Sequence, residues 1–312
     1  MATQKRRPPS RRAVLLRKYR KWLLPAACAL VALLIIGLSL FYILRFAEPE
    51  PEPPAPSSLI PENMLQVEDI YEGTRLIPKF DLPVCQYERE KFNDVGRFVR
   101  YEDGKALMGI DVSEFQGDID WAQVKASEQV DFVIIRLGYR GMTQGLLVTD
   151  ECFEKNYQGA VDAGLPVGVY FFSQAITEAE AEAEADYALS VLDGRSLDYP
   201  IAFDWEPPVP GENLPAEDLR AYNAQGADVA RFGAAFCKRV EEGGYKPCFY
   251  SNKNMIYKFF DMDAVKDYPI WLAEYQREPS LYYNFRMWQY SDQGTIPGIS
   301  TTVDLNICFE PY

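Results

Sequence analysis

The sequence predicts an α/β fold: a βα barrel that loses its helices toward the C-terminus, placed after an N-terminal membrane anchor and a Pro/Glu-rich spacer. Eight strand-like runs carry the barrel prediction: "LMGIDV", "DFVIIRLGY", "PVGVYFF", "YPIAFDW", "KPCFYS", "YPIWLAEY", "FRMWQY" and "TTVDLNIC". Most are nearly continuous in apolar residues, the pattern of strands covered on both faces in a parallel sheet. Helical patterns separate the early runs, whereas the last three follow one another with little helical room. Eight strands in one domain of about 200 residues is barrel scale.

The elements before the barrel follow from composition. Ten of the 32 Lys and Arg lie in the first 45 positions, which hold none of the 46 Asp and Glu. Residues 1–21 form a basic head. The uncharged run Trp22 to Leu44, within a segment 22–46, is long enough to span a bilayer, which takes about 20 apolar residues. No small-residue cleavage site precedes Arg45, so a retained signal anchor is expected rather than a cleaved leader. The positive-inside rule then leaves the head in the cytoplasm, with one membrane pass and the rest of the chain outside. Residues 47–64, with "AEPEPEPPAPSS", read as an extended spacer. Residues 65–107 form an extension of mixed character, in which "FVRYEDGKALMGIDVS" suggests a hairpin turning at Asp103-Gly104. The barrel domain is expected over 108–312.

Within the barrel, "DIDWAQVKAS" and "TDECFEKNYQGAVDAG" read as helices, the second stopped by glycine. "TEAEAEAEADYALSVLDG" opens with Thr177 and Glu180 in capping-box spacing. "PAEDLRAYNAQGADVARFGAAFCKRVEEGG" reads as one long helix ending at Gly243-Gly244.

Composition narrows the chemistry. The net charge is −14, and with the basic head set aside the remainder is strongly acidic, which argues against nucleic acid as a partner. The chain contains no histidine, which excludes a Ser-His-Asp triad, a Cys-His dyad and any His-ligated metal. Cys28 lies in the apolar run, and five cysteines lie beyond it without a CxxC spacing. Acid–base chemistry must then use carboxylates, Tyr, Lys or Cys.

Carboxylates stand where a barrel places its chemistry, at strand C-terminal ends. "IAFDWE" puts Asp204 and Glu206 on one face with the small Ala202. Asp111 lies in "GIDVSEFQG" and Asp304 in "TTVDLN". Three readings are open: structural caps and ion pairs, an oxygen-ligated cation site, or glycoside hydrolysis by paired carboxyl groups. For the last, one acid must keep its proton near neutrality, which a neighbouring carboxylate favours. Aromatic residues fall on or beside the strands: Tyr139, Tyr170, Phe172, Tyr250, Trp271, Tyr275 and Trp288, with Gln289 adjacent. Core packing and a sugar-binding groove are the competing readings for these. Arg136, the lone charge inside "FVIIRLGY", is expected to point into the barrel and pair with an acid.

The order of "GIDVSEFQGDIDWAQVK", "FVIIRLGYRG", "FEKNYQGAVDAGLPVGVYFFSQA", "PIAFDWE", "CFYS", "IWLAEY", "MWQYSDQGTIPGI" and "VDLN" resembles the glycoside hydrolase family 25 muramidases, over about Met108 to Cys308. The resemblance implies a (β/α)5β3 barrel that cleaves peptidoglycan between N-acetylmuramic acid and N-acetylglucosamine, with no cofactor and no metal. It assigns Glu206 as general acid/base, Asp204 as its partner carboxylate, and Asp111 and Asp304 as flanking acids. Where many members read Tyr-His-Phe, this chain reads Tyr170-Phe171-Phe172, a change that leaves all four acids in place. A wall-binding protein without turnover, or a hydrolase of another N-acetylated glycan such as chitin, are the alternatives.

Overall fold

The computed structural model describes residues 60–312. The head, the apolar run and most of the spacer lie outside the described residues, and no described helix is long and apolar enough to cross a membrane. The extension forms two antiparallel hairpins: β1 (Met64–Asp69) with β2 (Gly73–Pro78), and β3 (Phe92–Val95) with β4 (Phe98–Tyr101). Met64, assigned above to the spacer, is therefore already strand.

The hairpin turn is not where the sequence suggests. Asp103-Gly104 does form a turn, with Gly104 at φ +76° and the Asp103 carboxylate accepting from the Lys105 and Ala106 amides. However, it joins two different sheets. The partner of β4 is β3, across the Gly96-Arg97 turn, where Gly96 adopts φ +67° at little cost.

All eight predicted runs are strands of one closed sheet. They are β5 (Leu107–Val112), β6 (Phe132–Arg140), β8 (Val167–Ser173), β9 (Ile201–Trp205), β10 (Pro247–Asn252), β11 (Ile270–Ala273), β12 (Met287–Gly294) and β13 (Val303–Cys308). A short β7 (Leu147–Thr149) pairs antiparallel with the end of β6. Neighbours from β5 to β12 run parallel. Strand β13 then runs antiparallel between β12 and β5 and closes the barrel. Helices follow the first five barrel strands: α1 (Trp121–Ala126), α2 (Phe153–Asp162), α3 (Glu178–Leu192), α4 (Gly226–Glu242) and α5 (Lys253–Lys258). The last three strands are joined without α-helices, so the topology is (β/α)5β3.

Alternation along each strand separates two cores. Phe132, Ile134, Ala202, Tyr250, Trp271 and Met287 fill the barrel interior. Phe171, Phe203, Phe249, Leu272 and Ile307 point outward beneath the helices. Helix α3 opens as expected, with Thr177 Oγ1 accepting from the Glu180 amide at 3.2 Å. The Glu180 carboxylate reaches the Ile176 amide and Arg220 instead of closing the box. The long helix expected from Pro215 is shorter at its start: α4 begins only at Gly226, preceded by a 3-10 turn at Ala216–Asp218. A side chain at Gly226 would strike the Phe259 carbonyl, so only glycine fits at this helix start.

The extension and the barrel belong to one compact unit, Pro61–Tyr312. Tyr87 stacks on Phe309 with centroids 3.9 Å apart and donates to the Phe285 carbonyl at 2.5 Å. Lys253, at the start of α5, is 7% exposed and donates to Asp69 at 2.6 Å, with Glu274 at 3.3 Å. Burying these carboxylates is tolerable only with their cation present. Lys253→Met should therefore lower unfolding free energy by about 3–5 kcal/mol, measured by urea denaturation.

Candidate active site

The C-terminal ends of the barrel strands surround an acidic pit of ≈ 270 Å³. Parallel pairing brings the acids there. Asp204 ends β9 facing inward, with Phe172 of β8 on one side and Tyr250 of β10 on the other. Glu206 follows β9 at the exposed mouth of the pit. Asp111 and Asp304 are direct cross-strand partners on β5 and β13. All four line the same cavity.

Like charges set directly opposite each other repel, which favours the protonated form of these acids. Burial and the charge of Asp111 push Asp304 up to about 9. Burial, then Glu206 and Asp111, raise Asp204 well above the carboxylate range, while Arg136 pulls the other way. Burial and Asp111 raise Glu206, with the nearby Tyr250 phenol opposing the shift. Asp111 is also raised by burial, although Asn306 and Gln289 oppose the shift.

The consequence for stability has a definite sign. Acids that bind protons more tightly in the folded chain stabilise it most below their unfolded values, about pH 4. That contribution is lost as pH rises through the folded values, for Asp304 toward about 9. Asp304→Asn should thus raise the melting temperature over the native chain more at about pH 9 than at about pH 5, read from thermal unfolding at both.

A hydrogen-bond chain holds Asp111. Trp271 Nε1 donates to Asn306 Oδ1 at 2.9 Å, and Asn306 Nδ2 donates to Asp111 Oδ2 at 2.8 Å. Gln289 Nε2 donates to the same oxygen at 2.9 Å. Tyr250 and Tyr275 in turn donate to Gln289 Oε1 at 2.9 and 3.0 Å. Asp204 differs: its buried Oδ1 finds no donor among the described residues.

Of the aromatic and polar residues singled out from sequence, Tyr170, Phe172, Arg136, Tyr250, Trp271, Tyr275 and Gln289 line the pit. Arg136 pairs with acids as expected, namely Asp150 at 2.7 Å and Glu114 at 2.6 Å, neither of them among the four. Two expectations are corrected. Trp288 is fully buried on the outside of the barrel, donating to the Glu274 carbonyl and packing edge-on against Phe92. With Gln289 facing inward, its strand neighbour must face outward. Tyr139 does not line the pit; after a register shift in β6 its ring backs Arg136, 5.4 Å from the guanidinium.

Sequence reasoning missed Asn306 and Phe115. Asn306 stands two residues after Asp304, hence on the same face, a signal legible in the spacing. Phe115 is 71% exposed over Arg136 at 4.8 Å, and its only signal was a large apolar residue inside "SEFQG".

The sequence profile of glycosyl hydrolases family 25 matches residues 110–299. The chain belongs to this family. It is 31% identical over 201 residues to the autolytic lysozyme of Clostridium acetobutylicum, covering 64% of this chain and 55% of that one. The chain thus spans little more than half of that protein's length. It is 30% identical over 213 residues to the uncharacterized protein YegX of Escherichia coli K12, covering 67% of this chain and 72% of YegX. The fold is shared with the modular autolysin LytC of Streptococcus pneumoniae, with a TM-score of 0.59 and 23% identity over 80% of this chain and 57% of LytC. A family 25 glycosyl hydrolase from Bacillus anthracis aligns with a TM-score of 0.50 and 21% identity over 70% of this chain and 95% of that one.

Proposed function

We propose that the protein is a muramidase that hydrolyses the peptidoglycan bond between N-acetylmuramic acid and N-acetylglucosamine. One observation carries the reading: just past β9, Glu206, whose proton affinity is raised by desolvation and by Asp111, stands at the mouth of the pit beside a buried Asp204 oxygen without a donor. Glu206 gives its proton to the departing glycosidic oxygen. Asp204 Oδ1 accepts the N–H of the substrate's acetamido group, which turns that group's carbonyl toward the anomeric carbon. This hydrogen bond favours the ionised carboxylate on binding, as Arg136 already does. As the glycosidic bond breaks, the acetamido oxygen bonds to the anomeric carbon; water, giving a proton to the Glu206 carboxylate, then adds at that carbon and breaks the bond to the acetamido oxygen. Assistance of this kind is a known variant of two-carboxylate glycoside hydrolysis.

Asp111 and Asp304 keep the pit acidic, and the hydrogen-bond chain through Asn306 and Gln289 fixes Asp111 in place. The phenols of Tyr170 and Tyr250 are held protonated by burial and neighbouring acids, so both stay donors. The location is part of the proposal: residues 22–44 tether the enzyme to the cell membrane, with its barrel on the side of the wall. Support for the tether is the apolar run after a basic head. Confinement near the membrane suits remodelling of the producing cell's own wall.

The test is incubation of the full-length protein with purified peptidoglycan and, separately, with chitin. Soluble fragments with N-acetylmuramic acid at the reducing end are expected. Binding without release, or release from chitin alone, would sink the proposal.

A further inference from the structure

A second compartment of ≈ 520 Å³ adjoins the acidic pit and shares Glu206, Tyr250 and Tyr275 with it. Its inner wall comes from the barrel, including Asn254 and Gln276. Its outer wall does not: Tyr71 and Glu72 belong to the turn between β1 and β2. This turn precedes the family-matched region, residues 110–299. The volume lies within the range of ligand sites, about 300–1,000 Å³.

The turn is fixed in place. Asp69 Oδ1 accepts from the Tyr71 and Glu72 amides at 2.9 and 3.0 Å, and its Oδ2 takes the Lys253 ammonium at 2.6 Å. The Tyr71 hydroxyl donates to the Glu278 carbonyl at 3.0 Å and accepts from the Glu278 amide at 3.1 Å. With its hydroxyl held, the Tyr71 ring is still 43% exposed, and Tyr275 is 50% exposed. The compartment therefore offers two exposed aromatic rings, Tyr71 and Tyr275, and three amide side chains, Asn252, Asn254 and Gln276. Its lining cation, Lys253, is engaged by Asp69, Glu72 and Glu274. That chemistry disfavours an anionic ligand and suits an uncharged sugar ring, which packs on aromatic rings and hydrogen-bonds to amides and carboxylates.

We infer that the β1–β2 turn adds a glycan subsite to the groove, one that takes an uncharged N-acetylglucosamine residue of the same strand beyond the bond cut at Glu206. This rests on the muramidase reading. It also gives the extension a task in substrate recognition: the enzyme prefers longer glycan chains because Tyr71 holds the additional sugar.

The experiment uses peptide-free chains of alternating N-acetylglucosamine and N-acetylmuramic acid in a series of lengths. Calorimetric affinities are measured for full-length Glu206→Gln protein, alone and combined with Tyr71→Ala or Tyr71→Phe. Affinity is expected to step up once the chain reaches the compartment. Tyr71→Ala should reduce the ratio of long-chain to short-chain affinity by about 3–10-fold, and Tyr71→Phe, which keeps the ring, should preserve it. Should Tyr71→Ala lower the melting temperature, Asn254→Ala on the opposite wall serves in its place, with a reduced ratio again expected. An unchanged ratio overturns the inference, and so does an effect confined to peptide-bearing strands. Cleavage of the same chains by the native protein separates the two readings. Cleavage with an unchanged ratio leaves the muramidase standing without the subsite. No cleavage with a reduced ratio leaves the subsite standing without the muramidase.

Discussion

Glu206→Gln is expected to lower turnover on peptidoglycan by about 10²–10⁴-fold, the usual range for a lost general acid. Glutamine keeps the shape of the side chain and cannot release a proton. Because Glu206 stands at the mouth of the pit, where the loss of surrounding water and the charge of Asp111 both disfavour its ionised form, its neutral replacement removes repulsion from the other acids. Folding should be unaffected or improved, so the loss belongs to the chemical step. Steady-state kinetics would show the fall in kcat with KM nearly constant. A matching collapse in thermal stability would instead assign Glu206 a structural role.

Asp204→Asn is the second large effect, with an expected loss of about 10²–10³-fold in kcat, as for other groups that meet charge formed in a transition state. The aspartate is buried at the end of β9, beside Glu206 and across the pit from Asp111. In the native chain its Oδ1 is the free acceptor for the acetamido N–H. An amide in its place cannot develop the negative charge that stabilises the polarised acetamido group. Its stability should rise with pH relative to the native chain, for the reason given for Asp304. Native-like turnover in Asp204→Asn would remove the orienting role and favour attack by an activated water.

Much of the barrel was legible because its strands are covered on both faces. The short run "FVIIRL", apolar but for Arg136 and bounded by Asp131 and Gly138, fits a buried strand, and alternation alone placed Asp204 beside Glu206. The same rule, carried further, finds Asn306 beside Asp304 and turns Trp288 away from Gln289. The extension was less readable. Its strands are short and half-exposed, so they lack the apolar signature, and the Asp103-Gly104 pair is a stronger turn signal than Gly96-Arg97. No local pattern could place Tyr71 at the groove. That depends on Asp69 meeting Lys253, a pair 184 positions apart in the chain. The proton affinities of the pit were legible only in direction, because each depends on distances set by strand register.

The central claim is that Glu206 protonates the leaving oxygen, and leaving-group chemistry tests it most directly. Rates of the native and Glu206→Gln proteins are compared on the natural glycan and on a dinitrophenyl glycoside of the same sugar, whose leaving group needs no proton. The account predicts a deficit of about 10²–10⁴-fold on the glycan and little deficit on the dinitrophenyl glycoside. An equal deficit on both substrates would contradict it.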